Sequence, residues 1–139
     1  MEVEMESLDA KKKELLRTSK VIAMVGLSPD TDKPSNAVAS YLKRAGYRVM
    51  PVNPQHDEIL GEKSYKSLLD IPEKVDIVDI FMRSEKVVPI VEEAVRIKPR
   101  AIWLQEGIVN EEAGKIAEQG GIGFFQGICI KKEHARLLG

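Results

Sequence analysis

A chain of 139 residues, 43% hydrophobic and 31% charged, reads as one domain, residues 1–139, able to enclose a core of its own. Its formal net charge of −1 supplies no cationic excess for a nucleic-acid backbone, no apolar run reaches membrane-spanning length, and the opening MEVEMESLDAKKK lacks the apolar centre of a secretory signal. A single cysteine, Cys129, cannot close an internal disulfide, so the expectation is a reducing, cytoplasmic setting with no nucleic-acid or membrane partner.

In chain order, Leu8–Arg17 reads as an amphipathic helix with Ser7 as its N-cap, inside a helical extension over residues 1–19. Val21–Val25 is a five-residue apolar run, the mark of a strand covered on both faces. Ser35–Ala45 is the next helix, capped by Ser35, with Val38, Ala39, Leu42 and Ala45 on one face and Gly46 as its left-handed terminator. Tyr47–Val52 is a strand ended by Asn53-Pro54. The mixed stretch EILGEKSY is expected to hold a small edge strand, and Ser67–Ile71 a brief helix.

Val75–Met82 is a further strand and feeds a helix over Val88–Lys98, with Pro89 near its start, where a missing N–H costs nothing. Val88, Val91, Ala94 and Val95 form the buried stripe of that helix, while Glu92, Glu93 and Arg96 face water. Ala101–Gln105 is a strand, Glu111–Gln119 a helix, Ile122–Gln126 the last strand, and KKEHARLL a closing helix. Alternating strands and helices predict an α/β fold, a Rossmann-like doubly wound parallel sheet in a single domain, with strand order 3-2-1-4-5-6 and the short edge strand third. Ligands of such sheets bind at the carboxyl ends of the strands where the order reverses. Here that point lies between the strand ending at Gly26 and the strand ending near Arg83.

The loop after the first strand is not that of an ordinary NAD site. An NAD fingerprint needs three glycines there and an acid at the end of the second strand. Gly26 fills the first position, but Ser28 and Thr31 occupy the others, and the second strand ends in Asn53-Pro54 with no carboxylate for a ribose diol. The loop instead offers hydroxyls from Ser28 and Ser35, an amide from Asn36 and a cation from Lys33, beside a helix N-terminus. That set suits a nucleotide with more negative charge than NAD. A solvated turn is the alternative reading of the same residues.

Three blocks, VGLSPDTDKPSNAV, YRVMPVNPQHDEILGEKSYKSLLDIPEKVDIVDIFMRSE and AIWLQEGIVNEEA, together resemble the small stand-alone CoA-binding proteins. Those are similar to the N-terminal CoA-binding domain of the succinyl-CoA synthetase alpha subunit. The resemblance implies coenzyme A, or an acyl-CoA, as the ligand. It places Gly26, Ser28, Lys33, Ser35 and Asn36 at the ADP phosphates and Asn53 and Pro54 beside the adenosine half. It places Phe81, Arg83 and Ser84 along the phosphate and pantetheine path, and Gln105, Glu106 and Gly107 near the thiol end. Family members often carry Asp-Arg before the cysteine near the last strand, whereas this chain reads Gln126-Gly127-Ile128-Cys129. An arginine is absent from that corner.

Arg83, at the switch point, suits a phosphate through its guanidinium fork; an ion pair with Glu85 or Glu106 is the competing reading. Asp76 and Asp79 alternate to opposite faces of one strand and cannot form a catalytic pair. Asp79, the deeper of the two, is expected to accept backbone N–H groups from a neighbouring loop. His56 is expected in solvent, His134 packed or paired with Glu133 or Asp79, and Trp103 in the core. Two histidines and one cysteine without ligand spacing give no zinc site. Cys129 is either a small buried hydrophobe or a thiol facing the pocket, able to form a mixed disulfide with the pantetheine thiol.

These readings converge on a protein that binds CoA or acyl-CoA without catalysis of its own, since no complete catalytic constellation occurs in the chain. Two alternatives stay open. One is a CoA-binding subunit whose partner supplies the catalytic residues; the other is a ligand-free interaction module. A homo-oligomer is compatible with each.

Overall fold

The apolar run Val21–Val25 decides the architecture. Ile22 and Met24 pack into one core layer and Ala23 and Val25 into another, and all four are buried. A strand that is apolar on both sides must be covered on both sides, which is the condition met by a parallel α/β sheet. The computed structural model describes residues 2–139, with side chains from Ser7 onward. Its elements begin with α1 (Glu2–Thr18), β1 (Val21–Val25), α2 (Pro34–Arg44) and β2 (Arg48–Val52), followed by the short β3 (Glu58–Ile59) and β4 (Glu62–Lys63). Then come β5 (Ile77–Ile80), α3 (Val87–Arg96), β6 (Ala101–Glu106), α4 (Glu111–Gln119), β7 (Gly123–Gly127) and α5 (Ile130–Leu137).

Among the described residues, five strands pair in parallel in the order β2-β1-β5-β6-β7. Side chains from α1, α2 and α5 pack with one face, where Leu16, Met24, Leu42, Trp103 and Ile130 meet. Side chains from α3 and α4 cover the other, where Val25, Ile80, Val91, Leu104 and Ala117 meet. The fold is the expected single-domain Rossmann-like sheet, and the order reverses between β1 and β5 as anticipated.

The expected order 3-2-1-4-5-6 is corrected at its edge. The stretch EILGEKSY does not join the sheet as a strand. Leu60 and Gly61 take positive φ of 54° and 76°, a two-residue turn that reverses the chain and pairs β3 with β4 antiparallel. A single parallel bridge, Val52 to Tyr65, and a bond from the Ser64 hydroxyl to the Asn53 carbonyl at 3.0 Å attach this excursion to the end of β2.

Several local expectations are also corrected. α1 starts earlier than Leu8, so Ser7 lies inside the helix and caps nothing. α2 starts at Pro34, with Lys33 rather than Ser35 at its N-cap, because proline's fixed φ suits the first helical position. Ser67–Ile71 shrinks to a 3₁₀ turn over Leu68–Asp70, with Ser67 as its cap. The buried stripe of α3 is Val87, Val91 and Ala94, with Val88 and Val95 only partly buried. Glu93 does not simply face water; its carboxylate accepts from the Ser67 hydroxyl at 2.6 Å and the Leu68 N–H at 2.7 Å.

The role expected of Asp79 belongs to Asp76. Asp76, at the strand's entrance, accepts the Lys20 and Val21 N–H groups at 2.8 and 3.0 Å. Asp79, in register with Met24 and Trp103, is wholly buried, and neither carboxylate oxygen finds a hydrogen-bond partner. It sits inside a continuous parallel ladder whose backbone groups are already paired, so no loop N–H can reach it. Desolvation pushes its carboxyl well above the usual carboxylate range. His134 pairs with neither Glu133 nor Asp79. Its Nδ1 lies 2.8 Å from the Tyr41 hydroxyl, and Tyr41 and Tyr47 meet its ring edge-on. Trp103 is core as expected, its indole N–H donating to the Ile128 carbonyl at 2.8 Å.

Candidate functional site

The carboxyl ends of β1 and β5 touch at one glycine. Gly26 donates to the Val52 carbonyl at 3.0 Å and holds φ at 83°. A Cβ on it would come within 2.2 Å of the Phe81 carbonyl oxygen, so only glycine fits this junction. Beyond it the chain leaves β1 toward α2 on one face of the sheet and leaves β5 toward α3 on the other. The gap between the diverging connections is a cleft in two parts, with cavities of about 610 and 350 Å³ that share Gly26 and Met82.

The larger part lies on the α2 side. Ser28, Lys33, Ser35 and Val38 form one wall, Phe81 and Arg83 another, and Gln105, Glu106 and Cys129 the far end. Its loop is held by its own polar groups. The Ser28 N–H donates to the Ser35 hydroxyl at 3.0 Å, and the Asn36 amide donates to the Ser28 carbonyl at 2.9 Å. The Ser28 hydroxyl accepts from the Asp30 N–H at 3.1 Å. Both serine hydroxyls therefore act as acceptors within the protein and keep their own hydrogens to donate.

No side chain caps α2. Pro34 has no N–H to offer, and the Asn36 and Ala37 N–H groups donate to the Lys33 carbonyl at 3.1 and 3.4 Å, so it is the positive end of the α2 dipole that faces the cleft wall formed by Lys33, Pro34 and Ser35. Lys33 and Arg83 thus reach the same cavity from loops on opposite sides of the sheet. Neither forms a salt bridge among the described residues, and the competing Arg83–Glu106 pair is absent because Glu106 pairs with Lys132 at 3.0 Å.

The far end is set by α5. Gln105 is buried and its side-chain Oε1 accepts the Ile130 N–H at 3.0 Å, tying β6 to the start of α5. Cys129 sits at the N-cap of that helix, 8% exposed, with its residue on the cavity wall.

The smaller part lies between β2 and α3. Val25, Val52, Pro54, Leu68, Met82 and Ile90 give it apolar walls, with Asn53, Gln55, Lys66 and Glu93 supplying polar groups. Asn53 is a tie as well as a wall: its amide donates to the Leu27 carbonyl at 3.0 Å, and its side-chain oxygen accepts the Gln55 N–H at 3.0 Å.

Of the residues singled out from the sequence, Gly26, Ser28, Lys33, Ser35, Phe81, Arg83, Gln105, Glu106 and Cys129 line the larger cavity, and Asn53 and Pro54 the smaller. Three stand behind the walls. Asn36 is buried and orders the loop; Ser84 accepts the Val109 N–H through its hydroxyl and the Asn110 amide through its carbonyl; Gly107 turns the chain at φ 81°. The sequence reading missed Met82, Lys66, Ile90 and Glu93. Met82 had a signal, since it directly precedes Arg83 at a strand end. Lys66 and α3 reach the cleft only through tertiary packing. No cluster of His, Cys, Asp and Glu suited to a metal ion occurs among the described residues, and no described helix is long and apolar enough to cross a membrane.

Comparisons with known proteins show the family of the chain. Residues 20–135 match the family described as "CoA binding domain". The "Uncharacterized protein YneT" of Bacillus subtilis is 42% identical over 123 residues, 88% of this chain and 91% of that protein. A solved structure described as "hypothetical protein from Pyrococcus horikoshii OT3" superposes with a TM-score of 0.92 at 40% identity, covering 94% of this chain and 92% of that one. The "Acetate--CoA ligase [ADP-forming] I" of Archaeoglobus fulgidus is 40% identical over 77 residues; the match covers 55% of this chain but only 11% of the ligase.

Proposed function

We propose that this chain, which belongs to the CoA binding domain family, binds coenzyme A or an acyl-CoA along the two-part cleft and has no catalysis of its own. The observation that carries this reading is the meeting of Lys33 and Arg83 on one cavity, beside an uncapped helix N-terminus at the reversal of strand order. Two cations, the donor hydrogens of two serine hydroxyls and the positive end of a helix dipole form a receptor for a diphosphate. The smaller cavity across Gly26, about 350 Å³ with apolar walls, takes the adenine base. The opposite arm, from Phe81 toward Cys129, gives the pantetheine chain a path whose end is a thiol.

A thermal-shift panel of CoA, acetyl-CoA, dephospho-CoA, NAD, NADP and ATP tests the reading. CoA and acetyl-CoA are expected to raise the Tm most, because a ligand bound only by the folded state stabilises it by an amount that grows with the logarithm of its affinity. An equal shift with NAD would remove the reading. No shift with any nucleotide would favour an interaction module that takes no ligand.

Cys129 extends the proposal to thiol exchange. Its deprotonated sulfur attacks one sulfur of CoA disulfide; a Cys129–CoA disulfide forms, the CoA–CoA bond breaks, and one CoA thiolate leaves to take up a proton. The proximity of Cys129 to the end of the cleft supports this step. Protein incubated with CoA disulfide should gain one CoA mass that dithiothreitol removes; an unchanged mass would discard the exchange.

The similarity to the acetate–CoA ligase favours a second reading, in which the chain is the CoA-binding part of an acyl-CoA-using enzyme and a partner supplies the catalysis. Turnover on addition of such a partner, or a stable complex recovered from source cells, would select it.

A further inference from the structure

The smaller cavity contains a charge that the diphosphate site leaves unused. Its walls are apolar, and its one carboxylate, Glu93, is occupied by the Ser67 hydroxyl and the Leu68 N–H. Its one cation is Lys66. This lysine is exposed, yet the backbone that carries it is fixed on both sides. Before it, the Tyr65 N–H donates to the Pro51 carbonyl at 3.0 Å, and the Tyr65 carbonyl accepts the Asn53 N–H at 2.9 Å. After it, Glu93 clamps Ser67 and Leu68 to α3. The hairpin excursion thus returns to the sheet at the point that sets a cation on the rim of the apolar slot.

We infer that Lys66 is the residue that recognises a phosphate on the ribose of the bound nucleotide, and so sets the preference for CoA over dephospho-CoA. The inference rests on the reading that the adenosine half occupies this cavity. Lys33 and Arg83 line the other cavity, so the two parts of the cleft assign different phosphates to different cations. The end of β2 fits the same ligand. A carboxylate there would grip a free ribose diol but repel a phosphorylated one, and the chain has Asn53 there instead, its side chain already committed to Leu27 and Gln55. What is missing for NAD and what is present for CoA have one cause, the extra phosphate.

The test is calorimetric titration of CoA and dephospho-CoA into the full chain and its Lys66→Ala, Lys66→Glu and Lys33→Ala variants. The native protein is expected to bind CoA about ten- to a hundredfold more tightly than dephospho-CoA, the scale of a hydrogen-bonded charge pair. Lys66→Ala should bring that ratio near unity with dephospho-CoA affinity unchanged, and Lys66→Glu should invert it. Lys33→Ala should weaken both ligands together and keep the ratio. A preference for CoA that survives in both Lys66 variants would overturn the inference and leave CoA binding intact. A native chain that binds neither ligand would overturn the CoA reading itself, and this inference with it.

Discussion

The two parts of the cleft meet at Gly26 and Met82 but are assembled by different means. The wall of the larger part that carries Lys33 is a loop that holds itself: Ser28, Asp30, Ser35 and Asn36 lie within nine residues and bond to one another, while Phe81, Arg83, Gln105 and Cys129 close the rest from afar. The smaller part is assembled from a distance, with β2, the segment after the hairpin, and α3 each giving one wall, and Glu93 reaching 25 residues back along the chain to hold Leu68. Local polar bonding suits an anion site, because it fixes the loop while leaving Lys33 and the serine hydroxyl hydrogens to face a ligand. Packing from separate elements suits an apolar slot, because no short segment can surround a ring.

The change that breaks both parts at once is Gly26→Ala. The new Cβ would meet the Phe81 carbonyl at 2.2 Å in a backbone conformation that side chains resist. We expect a loss of stability of about 3 kcal/mol or more, read as a fall in the urea midpoint, together with lost nucleotide binding. A stable, binding-competent variant would show that the junction is not what joins the two parts.

A smaller effect sharpens the comparison from below. Asp79 lies on β5 two residues before Phe81, in register with Met24 and Trp103 and with no polar partner. Its folded-state pKa is raised above its unfolded value by burial. The protonated form is therefore the one the fold prefers. Its contribution to stability is fully present below the unfolded pKa and declines as pH rises toward the folded pKa, since only the unfolded chain then releases the proton easily. Asp79→Asn should remove this decline, so the variant gains stability relative to the native chain as pH is raised, measured by denaturation across pH. An unchanged pH profile would mean that Asp79 has a partner in solution.

The same contrast explains what could be read from the sequence. Parallel strands, their covering helices and the switch point followed from Val21–Val25 and from the spacing of the other apolar runs, because burial on two faces leaves a pattern along the chain. The anion loop was legible too, as a glycine, two serines, an asparagine and a lysine close together. The resemblance to CoA-binding proteins supplied the second strand end and the path toward Cys129. Three things were not legible. The hairpin at Leu60-Gly61 turned a presumed edge strand back on itself through two positive φ angles, one of them at a leucine. The orphaned state of Asp79 depends on its neighbours across the sheet, which its own alternation cannot reveal. Lys66 and Glu93 belong to the cleft only because the excursion after β2 docks on α3, and no periodicity encodes that contact.

The central claim is that cations from two separate strand-end loops neutralise one phosphorylated nucleotide. It is tested most directly by calorimetric titration of CoA into the native chain and into Lys33→Ala and Arg83→Ala. Each substitution is expected to weaken binding by about 1–3 kcal/mol, the loss of a charged hydrogen bond, while the unliganded proteins unfold at nearly the native Tm. Native CoA affinity in both variants would contradict the account.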